Sequence, residues 1–492
     1  MKIARDTQRG TPRVLSKLAL AAGLAAISVP FLAPEAASAG SLNLGLQDNR
    51  LYEARKEAIR AEWLDRTKAA GADYVSLGAF WRMIAPPTRP PGFDPSDPAD
   101  PAYDWGKLDA AVRDASARGL IVVLVALDAP AWAEGANPPA GVPPGTWRPD
   151  PSAYEAFSHA LARRYSGTFP DPLNPGAALP RVRFFKAWNE PNLNRYLNPQ
   201  GSGNKPESAE IYRRLLNALY RGVTAVNGDN QVIAGGPLSF ADPKAGGDTH
   251  PLDFLRRLFC LKKKKRKLRS TKCPDKAHFD ILAYNAIQGG NRSPRTRFPH
   301  PDDAGIAELD SIQHLLRKAK QKRRALPKKR KPLWISEFWW RSQPPASAAE
   351  GGVPLDQHAR FLEEALYLFW KQRVRVAFWF LIRDPDPART SVFNVDSGLY
   401  FFDETKKPAL QAFRFPFVTD KKKRGKKARV WGISPVPGMV TIQRLQGGDF
   451  QAIKQVKAGG GGMFKTSAKI PKGTDVRALA QSGETSLVWH HR

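Results

Sequence analysis

Two glutamates carry the chemistry that this chain's residues suggest. Glu190 ends the run Phe184-Phe185-Lys186-Ala187-Trp188-Asn189, and Glu337 ends Leu333-Trp334-Ile335-Ser336. A carboxylate prefers water and burial disfavours its charged form, so a glutamate closing an apolar, aromatic-rich run asks for a partner or a task. Two of them suit glycoside hydrolysis. One carboxylic acid protonates the leaving oxygen, a second carboxylate attacks or stabilises the anomeric carbon, and aromatic faces hold the sugar rings. For either residue alone a structural ion pair or a helix cap is a serious alternative. The pair, with its Trp and Asn neighbours, is what favours catalysis.

The elements that must position them alternate in type. Apolar runs at 42–46, 74–77, 120–127, 182–188, 231–234, 279–284, 333–336 and 374–381 read as strands. Amphipathic stretches lie between them, such as Tyr154, Phe157, Leu161 and Tyr165 at helical spacing. Eight strand–helix units predict an α/β fold of the (β/α)8 TIM-barrel type, in which active residues sit at the C-terminal strand ends. A doubly wound open sheet is the alternative, but Leu46-Gln47-Asp48-Asn49 stands where its Gly-rich turn belongs. Segments after the strands are long and rich in Pro, Trp and Asn, as a cleft around the glutamates requires. The chain changes character near its C-terminus. Short runs at 440–443, 450–456, 464–470, 476–480 and 487–489 separated by Gly or Pro predict a small all-β, sandwich-like module. The expected division is a signal peptide over 1–39, a barrel over 40–418, a basic linker over 419–428 and the β module over 429–492.

Trp188-Asn189-Glu190-Pro191 on the fourth strand and Trp334-Ile335-Ser336-Glu337 on the seventh resemble the signatures of clan A retaining glycoside hydrolases, of the family 5 and family 39 type that includes cellulases and β-xylosidases. The resemblance spans roughly 42–418. It implies that Glu190 is the acid/base, that Glu337 is the nucleophile, and that Asn189 bonds the sugar 2-hydroxyl beside Trp188. It also implies an aromatic platform at Trp379 and an arginine near the nucleophile at Arg82. Each of these has a plainer account, Trp379 as core and Arg82 as an ion-pair partner. Trp132, Trp339 and Trp340 lie in loops that could bind sugar or anchor packing. One departure stands out. The sixth strand of such enzymes commonly ends in a His, with a Tyr that contacts the nucleophile; here Tyr284-Asn285-Ala286-Ile287 puts Asn285 for the histidine and Ile287 for the tyrosine. Glu337 is therefore expected to be more basic unless a substitute such as Tyr284 serves it. Two function classes follow: a glycosidase cleaving β-linked poly- or oligosaccharides, and a catalytically weak carbohydrate or cell-envelope binder on the same barrel.

Compartment and partners come from the ends and the charge. Lys2, Arg5, Arg9, Arg13 and Lys17, an apolar run over 18–32 and Ala37-Ser38-Ala39 form a secretory leader pattern, with no later stretch apolar enough to span a bilayer. A secreted protein, in contact with the cell envelope if the charge acts there, is the expectation, in which Cys260 and Cys273 pair as a disulfide rather than remain thiols. Of the formal charge of +31, most resides in three runs without an acidic residue, 262–272, 317–331 and 421–429. They predict contact with an anionic envelope polymer or acidic polysaccharide from the barrel's bottom face, or simply a solvated surface. They lack the interleaved aromatics of single-strand nucleic-acid binders, so no nucleic acid is expected. Nor is a metal or cofactor: the eight histidines show no ligand spacing and Gly459–Gly462 opens no phosphate-binding helix.

Overall fold

The computed structural model describes residues 41–492 apart from 203–204, 242–246, 266, 389–394 and 422–426. The expected leader lies outside them. No helix among the described residues is long and apolar enough to cross a membrane.

Eight strands close a parallel barrel: β1 (Asn43–Gln47), β2 (Tyr74–Phe80), β3 (Ile121–Leu127), β4 (Phe184–Ala187), β5 (Gln231–Ala234), β6 (Ile281–Asn285), β7 (Leu333–Phe338) and β8 (Val376–Phe380). A helix follows each in turn: α1 (Glu57–Ala69), α2 (Gly106–Ala117), α3 (Pro151–Arg164), α4 (Ser208–Val226), α5 (Pro251–Leu258), α6 (Leu309–Gln321), α7 (Leu355–Lys371) and α8 (Pro408–Arg414). Local signals set the helix starts. Pro151 opens α3 where an N–H would go unused, and the Asp150 carboxylate accepts from the Ala153 N–H at 2.7 Å.

The two-residue period of the strands sorts side chains into two cores. Tyr74, Val123, Ile233, Ile281, Ala283, Trp334, Val376 and Phe378 point inward and fill the barrel. Tyr74 and Trp334 meet edge to face with centroids 5.6 Å apart. Their neighbours along the strands, such as Val75, Leu124 and Ala377, face the helices. Gly45 is required by this filling, since a Cβ there would lie 2.5 Å from the Phe378 ring.

The C-terminal module holds two antiparallel sheets. One orders β9 (Phe417–Lys421), β10 (Ala428–Ile433) and β13 (Met463–Ala468) side by side; the other orders β12 (Asp449–Ala458), β11 (Gly438–Gln446), β14 (Thr474–Ala480) and β15 (Trp489–His491). The ends of the stretch expected as a linker lie on paired strands: Phe417 to Lys421 pair with Gly432 back to Ala428, so Lys421 and Arg429 belong to the module's sheet. Residues 422–426 of that stretch lie outside those described. The module is docked on the last two barrel helices. Trp431 stacks on Trp370, Tyr367 Oη donates to Asp420, and Arg414 pairs with Glu484 at 2.8 Å.

The disulfide expected between Cys260 and Cys273 is present. It closes the base of an exposed hairpin, Leu261–Lys264 against Lys267–Ser270, which carries the first basic run.

Candidate active site

Glu190 and Glu337 meet at the C-terminal mouth of the barrel, and Asn285 joins them. The β6–β7 register shifts between Tyr284 and Asn285, so that Tyr284 lies opposite Ile335 but Asn285 lies opposite Glu337. That irregularity re-aims the strand end. The buried Asn285 side chain accepts from Ser336 Oγ at 2.6 Å, which turns its Nδ2 toward Glu190 Oε1 at 3.0 Å and Glu337 Oε2 at 3.5 Å. Two oxygens that both reach one nitrogen are separated by no more than the sum of those distances, 6.5 Å. Gly236, two residues past β5, leaves the space for this arrangement: a Cβ there would fall 2.7 Å from Ser336 Oγ and 2.9 Å from Asn285 Oδ1.

The turn after β4 is bent to deliver Glu190. Trp188 and Glu190 have φ of 62° and 36°, a left-handed conformation that costs non-glycine residues roughly 1–3 kcal/mol each and clusters at functional sites. Packing holds it. Trp188 is fully buried against Tyr154 and donates its indole N–H to the Tyr196 carbonyl at 2.7 Å, while Asn192 ties the loop to Leu238 and Thr249.

A lysine lies beneath the pair. Lys186 Nζ donates to Asn189 Oδ1 at 2.9 Å, and its charge acts on both Glu337 and Glu190. Burial pulls the lysine down to about 8, against the raising pull of both carboxylates. Burial also pushes Glu337 up to about 8, with Glu190's charge as the next cause and Lys186 opposing. A second cation, Arg195, sits 3.2 Å from Glu190 Oε2 with its side chain half exposed. Positive charge is thus set against Glu190, while burial favours the protonated form of Glu337.

The cluster draws together some of the residues read from the sequence and leaves others apart. Trp339 donates its indole N–H to Glu337 Oε1 at 3.1 Å. Asn189 reaches Lys186 and the Tyr196 side chain. Tyr284 cannot replace the missing donor: it follows the strand's alternation away from the mouth, and its buried hydroxyl donates to the Ala304 carbonyl at 2.6 Å. Asn285 and Trp339 take that part. Trp379 requires a correction. It is fully buried on the helix-facing side of β8, packs on Phe338 and His358, and bonds the Ser397 carbonyl, so no sugar can stack on it. The inward positions of that strand fall to Val376 and Phe378. Arg82, on a short turn after β2, is paired with Asp128 at 2.5 Å. Trp132 is half-buried, bonded to the Pro86 carbonyl and packed on Trp81 and Phe93. Trp340 is core, beside Phe361.

Four residues to which no motif assigns a part, Lys186, Ser336, Arg195 and Tyr196, complete the site. Lys186 had a signal, a lysine in mid-strand with apolar residues on both sides. The others become visible only once the loops meet. Ile287, standing for the tyrosine, joins Leu193 and Leu238 in an apolar wall on which Trp339 and Tyr196 pack. That wall borders a cleft of about 600 Å³, lined also by Arg195, Phe240 and Arg341. Away from the pair, His250, His300 and Asp303 bring three potential metal-ligand atoms within 4.8 Å of one another, although His250 Nδ1 already bonds Asp303 at 2.7 Å.

Comparison of the fold with solved structures finds glycoside hydrolases. A family 39 glycoside hydrolase from Bacteroides cellulosilyticus WH2 matches with a TM-score of 0.50 and 16% identity, over 86% of this chain and 78% of that one. A glucosidase from Croceicoccus marinus matches at 0.47 and 14%, over 88% and 93%. GH5_18 from Streptomyces cattleya, solved with GlcNAc, matches at 0.46 and 18%, over 77% and 80%. No family model and no curated protein matches the sequence. The likeness is one of fold: a closed eight-stranded parallel barrel with an all-β region at its C-terminus.

Proposed function

We propose that this protein is a glycosidase that hydrolyses β-glycosidic bonds with retention of configuration. The observation that carries the reading is the single Asn285 nitrogen in contact with both carboxylates. It bounds their separation at 6.5 Å, the lower edge of the inverting range of about 6.5–9.5 Å, and so favours the retaining spacing of about 5–5.5 Å. In the double displacement Glu337 attacks the anomeric carbon while Glu190 protonates the leaving oxygen, and Glu190 then activates the water that releases the sugar. Trp339 and Asn285 orient the attacking carboxylate. Attack needs Glu337 ionised and a proton on Glu190, and burial, which pushes Glu337 up, works against the first of these.

The disulfide and the leader pattern support export. The basic runs support an anionic envelope polymer or acidic polysaccharide as a further partner. A second reading, a carbohydrate binder without turnover, is favoured by one observation, the Arg195–Glu190 ion pair across the residue that must act as acid.

Hydrolysis of a panel of aryl β-glycosides and β-linked polysaccharides separates the two. Turnover by the wild type, its absence in Glu337→Gln, and a first product of retained anomeric configuration by NMR are expected. Sugar binding without turnover leaves the binder, and an inverted first product removes the double displacement.

A further inference from the structure

At the opposite end of the barrel lies a larger cleft, of about 1,220 Å³, whose charge is of one sign. Its walls are α6, the chain entering β7, the turn from α7 into β8, and the module strands β10 and β13. Nine of its 16 lining residues are Lys or Arg, and none is Asp or Glu. Leu333 lines it from the start of β7, and Glu337 stands near the end of the same strand, about 13 Å further along.

Some of these cations are already engaged. Lys371 pairs with Asp420 at 3.3 Å, Lys331 bonds the Phe279 carbonyl, and Arg429 reaches Tyr367 Oη at 3.3 Å. Asp420 is shared, since Tyr367 and Arg295 also use it. Arg317, Lys320, Arg330, Arg373 and Lys465 make no ion pair among the described residues. Like charges gathered in a concave wall raise the local concentration of anions and disfavour the empty state through mutual repulsion. The wall is not only charged. Leu316, Pro332, Val374 and Trp370 give it an apolar strip, and Trp370 is held in place by its stack on Trp431.

We propose that this cleft is a binding site for an acidic glycan, a sugar chain carrying carboxylate, sulfate or phosphate groups. The cations meet the anionic substituents and Trp370 gives a ring face for a pyranose. Single-stranded nucleic acid fits less well, because successive bases need successive aromatic platforms and the cleft offers one indole. The proposal deepens the anionic-polymer reading and rests on it, not on hydrolysis at the other end. It also explains what the sequence runs leave open. Arg317, Lys320, Arg330 and Lys331 of the run 317–331 and Arg429 of the run 421–429 line this cleft, whereas residues 262–264 and 267–269 of the first run lie in the disulfide-closed hairpin and are not among its lining residues.

The test measures binding of the full chain, and of its Glu337→Gln variant, to a fluorescent heparin oligosaccharide, a neutral dextran oligomer and an oligo(dT). Heparin binding at 50 mM NaCl that weakens at least tenfold at 200 mM, with no dextran binding, is expected. Arg317→Glu/Arg330→Glu/Arg373→Glu should lose at least tenfold in affinity and keep its hydrolysis rate, whereas Lys263→Glu/Lys264→Glu in the hairpin should bind as the wild type does. On the wild type, bound heparin should shield Lys320 and Lys465 from amine acetylation and leave Lys263 reactive, a readout that stands if the triple variant does not fold. Loss in the hairpin variant with retention in the cleft variant overturns the cleft and keeps the polymer reading. Tighter oligo(dT) than heparin binding overturns the ligand class, and no heparin binding at 50 mM NaCl overturns both. Hydrolysis of β-glycosides is unaffected by any of these outcomes.

Discussion

The two ends of the barrel handle charge in opposite ways. At the mouth, two glutamates, a lysine and an arginine are locked together with Asn285, Ser336 and Trp339, so every charge has a counter-charge or a hydrogen bond of fixed direction. On the floor, nine cations surround a cleft with no acid in its wall. In the first arrangement the charges offset one another, and orientation within it is what matters. The second is incomplete until something anionic arrives. Both lie on β7, one at each end, so a rigid strand keeps them apart.

The contrast can be broken by removing charge at each end. The largest effect belongs to Glu190→Gln and Glu337→Gln, each expected to cut kcat/KM by about 10³-fold or more with an unchanged melting curve; near-wild-type turnover by either would take that residue out of the chemistry. Asn285→Ala comes next. It removes a group that orients carboxylates it does not replace, and a loss of about 10–100-fold in kcat is expected, with binding of a neutral sugar ligand largely kept. Lys186→Met sharpens the electrostatics. The lysine's charge lowers Glu337, and attack needs Glu337 ionised, so its loss should move the acidic limb of the kcat/KM profile to higher pH, with Lys186→Arg moving it back. A limb that stays put would mean that the lysine only orients Asn189. The smallest effect lies on the floor, where removing a cation should help: Arg330→Gln relieves repulsion at an exposed position and is expected to raise stability by a few tenths of a kcal/mol, about 0.3, in chemical denaturation at low salt. A clear loss there would show that the floor cations are paired.

Much of the mouth was legible because strand periodicity and motif placement are local. Eight apolar runs gave the barrel, and the glutamates closing the fourth and seventh placed both at one end. The C-terminal strands matched their Gly- and Pro-bounded runs for the same reason. Side-chain direction was less legible. Trp379 differs from an inward residue only by the parity of its position on β8, which a one-residue offset reverses. The irregularity that sets Asn285 opposite Glu337 depends on how two strands pair, and neither strand encodes it alone. The floor cleft was the least legible. Its walls come from Ser41 and from positions between 313 and 465, and the basic runs carry no sign in the sequence that Arg317, Lys320 and Arg330 share a groove with Arg429 while residues 262–264 stand in a hairpin.

The roles of the two glutamates are tested most directly by azide rescue. Glu337→Ala and Glu190→Ala are incubated with an activated aryl β-glycoside that the wild type cleaves, in the presence of sodium azide, and the anomeric configuration of each glycosyl azide is read by NMR. An α-glycosyl azide from Glu337→Ala and a β-glycosyl azide from Glu190→Ala are expected. The reverse pair of products, or rescue of neither variant, would contradict the assignment of nucleophile and acid/base to this carboxylate pair.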